Sequence, residues 1–431
     1  MILLNIVILV SLAVLFSKLA AGEHPRLFWF ALLFKVAMAL ALGLVYRYYY
    51  SANDTWLFFE DAVKLADFAR NDFKLYFEFL WSSDSTHSIW SELANTQERS
   101  LFLVKIISIF SLISGNNYWI SAIYFTLISF AAAWYLFHVV TQRFPESRNS
   151  AALAFLFFPS VVFWGSGLVK ETLALAGIYF IATLFVKLIH QYPNDGDVSP
   201  LQAVRSIKLW EWITASLAFY LAWNLKYYWT ALFMAVVTTS LINLFLRNRF
   251  VFLNRYKMSL WVGIFLILIS TVSLMHPNFY LSRFLDVLVT NHNDFVKISK
   301  PEGLIHYYKL TADWLSVCIN APWALISGLF RPFVWEAAGV TAVLASIENL
   351  FLLALVVSSL FRKRTTPANQ SLYYSALVYI VLLCIFLALS TPNLGTLSRY
   401  RIGFTPFLVF LISYRNPLLQ YLFDRIGLLR S

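Results

Sequence analysis

The chain has 431 residues, 60% of them hydrophobic and 13% charged, with a mean hydropathy of +0.68 and a formal charge of +11 at pH 7. That balance excludes a soluble globular protein, which needs far more polar surface to cover its core. It also excludes nucleic acid as a partner, because Lys and Arg fall in short segments between apolar runs and no polar domain presents them as a stripe.

Apolar runs of about 18 to 22 residues, each long enough to cross a ~30 Å hydrocarbon core, recur along the chain. They predict an all-α fold, a polytopic transmembrane helix bundle. In chain order the spans are expected at 2–20, 27–46, 118–139, 150–165, 169–189, 209–224, 228–246, 258–275, 338–361, 371–390 and 402–415, about eleven in all. Aromatic residues make up 18% of the chain, and many stand near the ends of these runs, as an aromatic belt places them. The first run lacks a basic region before it and reads as a retained span rather than a cleaved signal.

Between the second and third spans lies an acidic region, 47–117. Within it 101–113 is apolar, but it is short and contains Lys105. As a span it would move the acidic stretch to the cytoplasm or scramble the later basic turns, so it is expected to be an interfacial helix on the outer surface. The basic clusters then share one side: Lys18 with Arg26, Arg143 with Arg148, Arg205 with Lys208, Arg247 to Lys257, Arg362 to Arg364, and Arg415 onward. The positive-inside bias assigns that side to the cytoplasm, with the N-terminus outside and the C-terminus inside. A second outer region covers 276–337. The expected organisation is one membrane-embedded domain, 1–431, integral to a bacterial inner membrane. Cys318 lies near a span boundary and Cys384 inside a span, so no disulfide is expected, and no Cys/His spacing suggests zinc.

Charges kept on the outer face near span ends are the informative ones. Asp54 and Asp61 are seven apart, so a helix begun at 54 places both on one face, with Glu60 beside them. A carboxylate there can take a proton from a hydroxyl. The plainer role for Asn53 or Asp54 is a helix cap, and Asn53-Asp54-Thr55 also matches a glycosylation sequon. Lys170 and Glu171 follow a glycine-bearing turn; Lys170 is a second candidate for holding a phosphate, with Glu171 beside it in the same binding role, and a local ion pair is the plainer reading. Arg331 stands among Phe, Pro and Trp, with Glu336 five residues on; its planar fork suits a phosphate, and an interfacial anchor is the alternative. Arg399 and Arg401 flank Tyr400 on the outer side, against the positive-inside bias. Something anionic should compensate them: a phosphate, or an acid such as Glu171 or Glu336. Pro392 and Gly395 predict an extended approach to this pair. Lys226-Tyr227 is a weaker candidate. Glu348, near mid-span, should face the bundle and bond an Asn or Ser.

Together these segments resemble a known family. Asp54 after an early span, the helix at 101–113, Phe158-Pro159-Ser160 with Lys170-Glu171, Phe330-Arg331-Pro332-Phe333-Val334-Trp335-Glu336, and Arg399-Tyr400-Arg401 resemble the GT-C superfamily of polyprenyl-phosphate-dependent glycosyltransferases. They also resemble bacterial membrane proteins of polysaccharide synthesis. The layout covers most of the chain; the sequence likeness covers only these segments. The resemblance implies sugar transfer at the extracytoplasmic surface, with a lipid-linked sugar donor, a glycan, lipid or protein acceptor, and Asp54 in the place of the acidic catalytic residue. Where that loop commonly carries two adjacent acids, this chain has Asn53-Asp54, and its nearest adjacent acids are Glu60-Asp61. The first span is also additional to the family layout. No cofactor is demanded; Asp54 and Asp61 are the pair that would hold a divalent metal. The competing expectations are a polysaccharide polymerase or ligase acting on lipid-linked glycans, and a transporter or flippase of lipid-linked sugars.

Overall fold

A computed structural model describes residues 1–50, 53–82, 87–190, 204–275, 280–362 and 369–426. Among them the regular elements are helical, and one isolated antiparallel bridge joins Leu304 to Asn393. In chain order α1 (Ile2–Ala20) and α2 (Pro25–Tyr48) precede α3 (Asp54–Asn71), α4 (Phe73–Ser82) and α5 (Glu98–Ser114), which occupy the first expected outer region. Then come α6 (Tyr118–Arg143), α7 (Arg148–Ala152), α8 (Pro159–Trp164), α9 (Lys170–His190), α10 (Leu209–Arg249) and α11 (Lys257–Met275). The second outer region holds α12 (Leu281–Ile298) and α13 (Trp314–Phe330). The chain continues through α14 (Val340–Leu360), α15 (Gln370–Ser390), α16 (Leu394–Tyr400), α17 (Thr405–Ser413) and α18 (Pro417–Ile426). Asp84, Lys363 and Arg364 lie outside the described residues.

Among the described residues eight helices are long and apolar enough to cross a membrane: α1, α2, α6, α9, α10, α11 with the turn before it, α14 and α15. The all-α membrane expectation holds at that level, and four expected spans take other forms. The 209–224 and 228–246 runs belong to the 41-residue α10, whose halves meet at Lys226, a residue with non-helical φ −143° and ψ 65°. At 1.5 Å per residue this run is about 62 Å long, enough for two crossings. The 150–165 run is broken: after α7 the chain winds as a π-turn over Leu153–Phe157, and Phe158 is extended at ψ 118°. Phe158 precedes Pro159, and a residue before proline is driven out of the helical region. The 402–415 run contains only nine α-helical residues, α17, about 14 Å of helix. The approach to Arg399 and Arg401 is also corrected. Asn393 caps α16 by accepting from Thr396 N at 2.9 Å, so the segment expected to be extended is helical.

The chain divides into two compact units. The first comprises Met1–His138, Val161–Ile181 and Ile213–Tyr227. Its core sets Phe28 edge to face against Phe130 and Trp134, whose own rings are tilted, with centroids 5.0 to 6.1 Å apart in the contacts among Phe16, Phe28, Phe130 and Trp134. The start of α3 is fixed by stacking of Trp56 on Tyr118 at 3.8 Å and by Thr55, which bonds the Leu168 carbonyl at 3.0 Å. α5 packs along α3. Lys105 of α5 is buried and donates to the Phe79 and Leu80 carbonyls at 2.6 and 3.0 Å, near the C-terminus of α4. A cation is favoured at that end of a helix, and burial pushes its ammonium down to about 8.

The second unit comprises Val139–Ser160, Ala182–Trp212 and Tyr228–Ser431. Here α13 packs on α15 through Gly328, where an added Cβ would stand 2.5 Å from Cys384 Sγ. Cys318 and Cys384 are both free, as expected. Tyr307 donates to the Ala388 carbonyl at 2.8 Å and Ile305 N to the Pro392 carbonyl at 2.9 Å, so the strand-like stretch after α12 closes over the end of α15.

Candidate functional site

In the second unit the arginines are placed by helix ends. Arg331 follows the last residue of α13, and the turn Phe333 to Glu336 folds back on it. Glu336 holds it by two parallel contacts, Nη2 to Oε1 at 2.7 Å and Nε to Oε2 at 3.0 Å. The same carboxylate accepts from Phe333 N at 2.8 Å. One edge of the Arg331 fork is therefore already occupied by Glu336.

Arg401 directly follows α16 and is 2% exposed. A guanidinium carries five N–H donors. Arg401 places Nη1 at 3.4 Å from the Arg331 carbonyl, and its Nε has no hydrogen-bond partner among the described residues. Its carboxylate neighbour is Glu348 of α14, with Oε1 3.8 Å from Nη2. Glu348 spends its other oxygen on Ser160 N at 2.7 Å, an amide left open at the first turn of α8. The expected Ser contact of Glu348 is thus to a backbone amide, and its charge partner is Arg401. Arg399 and Tyr400 are half-buried in the last turn of α16, and the Tyr400 ring lies 6.5 Å from that of Tyr228. At about 100° per residue, positions 399 and 401 point roughly 200° apart. The two arginines therefore do not share a side, as an extended segment would have made them.

In the first unit Asp54 opens α3 and is half-buried. Asn53 is the N-cap residue without a side-chain capping bond. Glu60 is exposed, whereas Asp61 is 1% exposed. The Asp61 carboxylate accepts from Ala94 N at 3.1 and 3.2 Å, from Asn95 N and Nδ2 at 2.8 Å each, and from Lys64 Nζ at 3.1 Å. Its lone pairs serve Lys64 and the chain at 94–95. Lys170 donates to Ser100 Oγ at 2.8 Å and stands 5.2 Å over the Phe58 ring. Glu171 is fully buried and pairs with Lys226 at 2.7 Å. Glu171 is one of the acids expected to compensate Arg399 or Arg401, and Lys226 is a partner of its carboxylate. No group of three or more His, Cys, Asp or Glu placed to hold a metal ion occurs among the described residues.

Sequence reading passed over three side chains of this kind. Arg99 covers the Tyr227 ring at 4.3 Å. Ser100 receives Lys170. Lys35 is 3% exposed in the middle of α2, close to Gly165. Only Lys35 carried a signal, a lysine inside an otherwise apolar run. No protein-family model matches the chain, and neither a curated protein nor a solved structure matches it.

Proposed function

We propose that the chain is a membrane glycosyltransferase that moves a sugar from a polyprenyl-phosphate donor to an acceptor on the extracytoplasmic face. The observation that supports this reading is Arg401: a buried guanidinium with one 3.4 Å hydrogen bond and a carboxylate no nearer than 3.8 Å. A buried charge is costly unless paired and hydrogen-bonded. Arg401 is undercompensated, and a phosphate oxygen would take up its remaining donors.

In this reading Asp54 removes the acceptor hydroxyl proton. The acceptor oxygen attacks the anomeric carbon, and the bond from that carbon to the phosphate oxygen breaks. Its electron pair leaves with the lipid phosphate, and the configuration inverts. Arg401 stabilises the charge that develops on the phosphate. Arg399 and the open edge of Arg331 are the adjoining candidates, with Tyr400 beside them. The test is donor-dependent transfer in membranes where insertion is verified. Arg401→Gln should reduce transfer by about 10²-fold or more, and Arg401→Lys, which keeps charge but loses the fork, should fall between. Unchanged donor dependence in both Arg399→Ala and Arg401→Ala overturns the assignment. A second reading, transport of a lipid-linked sugar, is favoured by the buried Lys35 in α2. Sugar-lipid flux across proteoliposomes in the absence of acceptor would select it.

A further inference from the structure

In the second unit one hydrogen-bond network ties four segments together. Arg401 Nη1 and Asn349 Nδ2 donate to consecutive carbonyls, those of Arg331 and Pro332, at 3.4 and 3.0 Å. Asn349 follows Glu348 in α14, and Glu348 both faces Arg401 at 3.8 Å and takes Ser160 N at 2.7 Å. The Ser327 carbonyl, one turn back in α13, receives Arg331 N at 3.0 Å. Four buried atoms of this network have no hydrogen-bond partner among the described residues: Arg401 Nε, Asn349 Oδ1, Ser160 Oγ and Ser327 Oγ. Arg401 and Asn349 are each 2% exposed, and Ser327 is fully buried. Buried polar atoms are bonded in the great majority of cases, so four orphans in one network call for a partner from outside the chain. Their chemistry is mixed. Nε gives a hydrogen, Asn349 Oδ1 can only accept one, and the two hydroxyls do either.

We propose that Asn349 is a specificity residue of this site: its Oδ1 accepts from a hydroxyl of the donor sugar while Arg401 holds the phosphate. This role rests on the sugar-transfer reading of Arg401 and names what else the ligand must carry. A phosphodiester offers acceptor oxygens alone, so it serves Arg401 Nε and leaves Asn349 Oδ1 unmet. A sugar hydroxyl beside that phosphate supplies the missing hydrogen. Asn349 and Arg401 hang on neighbouring carbonyls of one turn, so a single ligand can meet both. A site whose buried polar atom is left unpaired rejects the ligand that lacks the matching group. Asn349 therefore separates the sugar-loaded lipid from the bare carrier. The carrier left after transfer has no sugar hydroxyl and loses this bond, which favours its release.

Binding is measured on the purified full chain in detergent, with undecaprenyl phosphate and with the same lipid carrying glucose, galactose or mannose. The quantity read is the ratio of the Kd for the bare lipid to the Kd for each sugar lipid, which cancels a general loss of affinity. In the parent at least one sugar lipid should bind more tightly than the bare one. Asn349→Ala should reduce that preference by about threefold to tenfold, the worth of one hydrogen bond. Asn349→Asp loses the bond to the Pro332 carbonyl just as alanine does, but it keeps an acceptor. It should retain the preference even where its added charge weakens both kinds of lipid. Arg401→Gln should weaken bare and sugar lipids alike. If Arg401→Gln binds every lipid like the parent, the sugar-transfer assignment of Arg401 fails and the role of Asn349 fails with it. If Arg401→Gln weakens them all, three results overturn the role of Asn349 alone. The parent shows no preference, a result that needs no variant to fold; or the preference survives Asn349→Ala; or Asn349→Ala and Asn349→Asp lose it equally, which marks a structural contact with Pro332 or a buried water.

Discussion

A carboxylate that accepts from two backbone amides, an amide side chain and a lysine, as Asp61 does, is part of the framework. Removing the charge of Asp61 leaves those donors facing a weaker acceptor in a buried place. Asp61→Asn should therefore lower stability by about 2 to 3 kcal/mol, and the half-exposed Lys64 contributes little to that sum. A thermal shift of the detergent-solubilised protein would show it. Asp54→Asn has the opposite profile. Asn53 occupies the cap position, and Asn at 54 preserves the shape of Asp, so the melting temperature should stay near that of the parent. Under the proposed mechanism, transfer should fall by about 10²-fold or more. Full activity in Asp54→Asn would move the base to Glu60. The seven-residue spacing of Asp54 and Asp61 was readable because it follows from helix geometry alone. Their difference was not: the Asp61 partners come from residues 33 and 34 positions later in the chain. The same is true of Arg401 and Glu348, both visible as misplaced charges, but with their pairing fixed by tertiary packing.

Among the helices, hydropathy found the long uniform ones and misjudged those interrupted by local chemistry. Pro159 was in plain view, and the extended Phe158 before it is the ordinary consequence of that proline. An averaged apolar run hides such a break, because Phe158 is as hydrophobic as a helical residue. The 17-residue α13 falls within the second expected outer region, 276–337, although it is apolar itself. Its packing depends on a missing side chain. A Cβ at Gly328 would meet Cys384 Sγ at 2.5 Å and the Cys384 carbonyl at 3.2 Å. The sulfur could turn aside, but the carbonyl belongs to α15 and cannot. Gly328→Ala should cost about 1 to 3 kcal/mol through overpacking. Gly263→Ala is the matched control: it lies in α11, nothing stands within 4 Å of the added carbon, and alanine is the better helix former. Equal melting temperatures for the two variants would show that α13 and α15 do not pack closely at this point.

At the scale of the whole chain, the remaining question is which side of the membrane each region faces, and charge is the only term that decides it. Lys and Arg near span ends are held on the cytoplasmic side, whereas acids contribute little to orientation. The arrangement can be tested inside each unit with impermeant thiol reagents on intact cells. The exposed native Cys318 is first replaced by serine. In the first unit, cysteine is placed at Glu23, between Lys18 and Arg26, and at Ser91 in the acidic region; both positions are exposed. In the second unit it is placed at Asn254, within the basic turn from Arg247 to Lys257, and at Glu302, after α12, again both exposed. Ser91→Cys and Glu302→Cys should label in intact cells, and Glu23→Cys and Asn254→Cys only after the membrane is permeabilised. Same-side labelling within either pair would show that the spans between its members were miscounted. Labelling of Glu302→Cys only after permeabilisation would be more damaging. It would place the region leading to Arg331 in the cytoplasm, where the extracytoplasmic transfer reading has no use for its arginine.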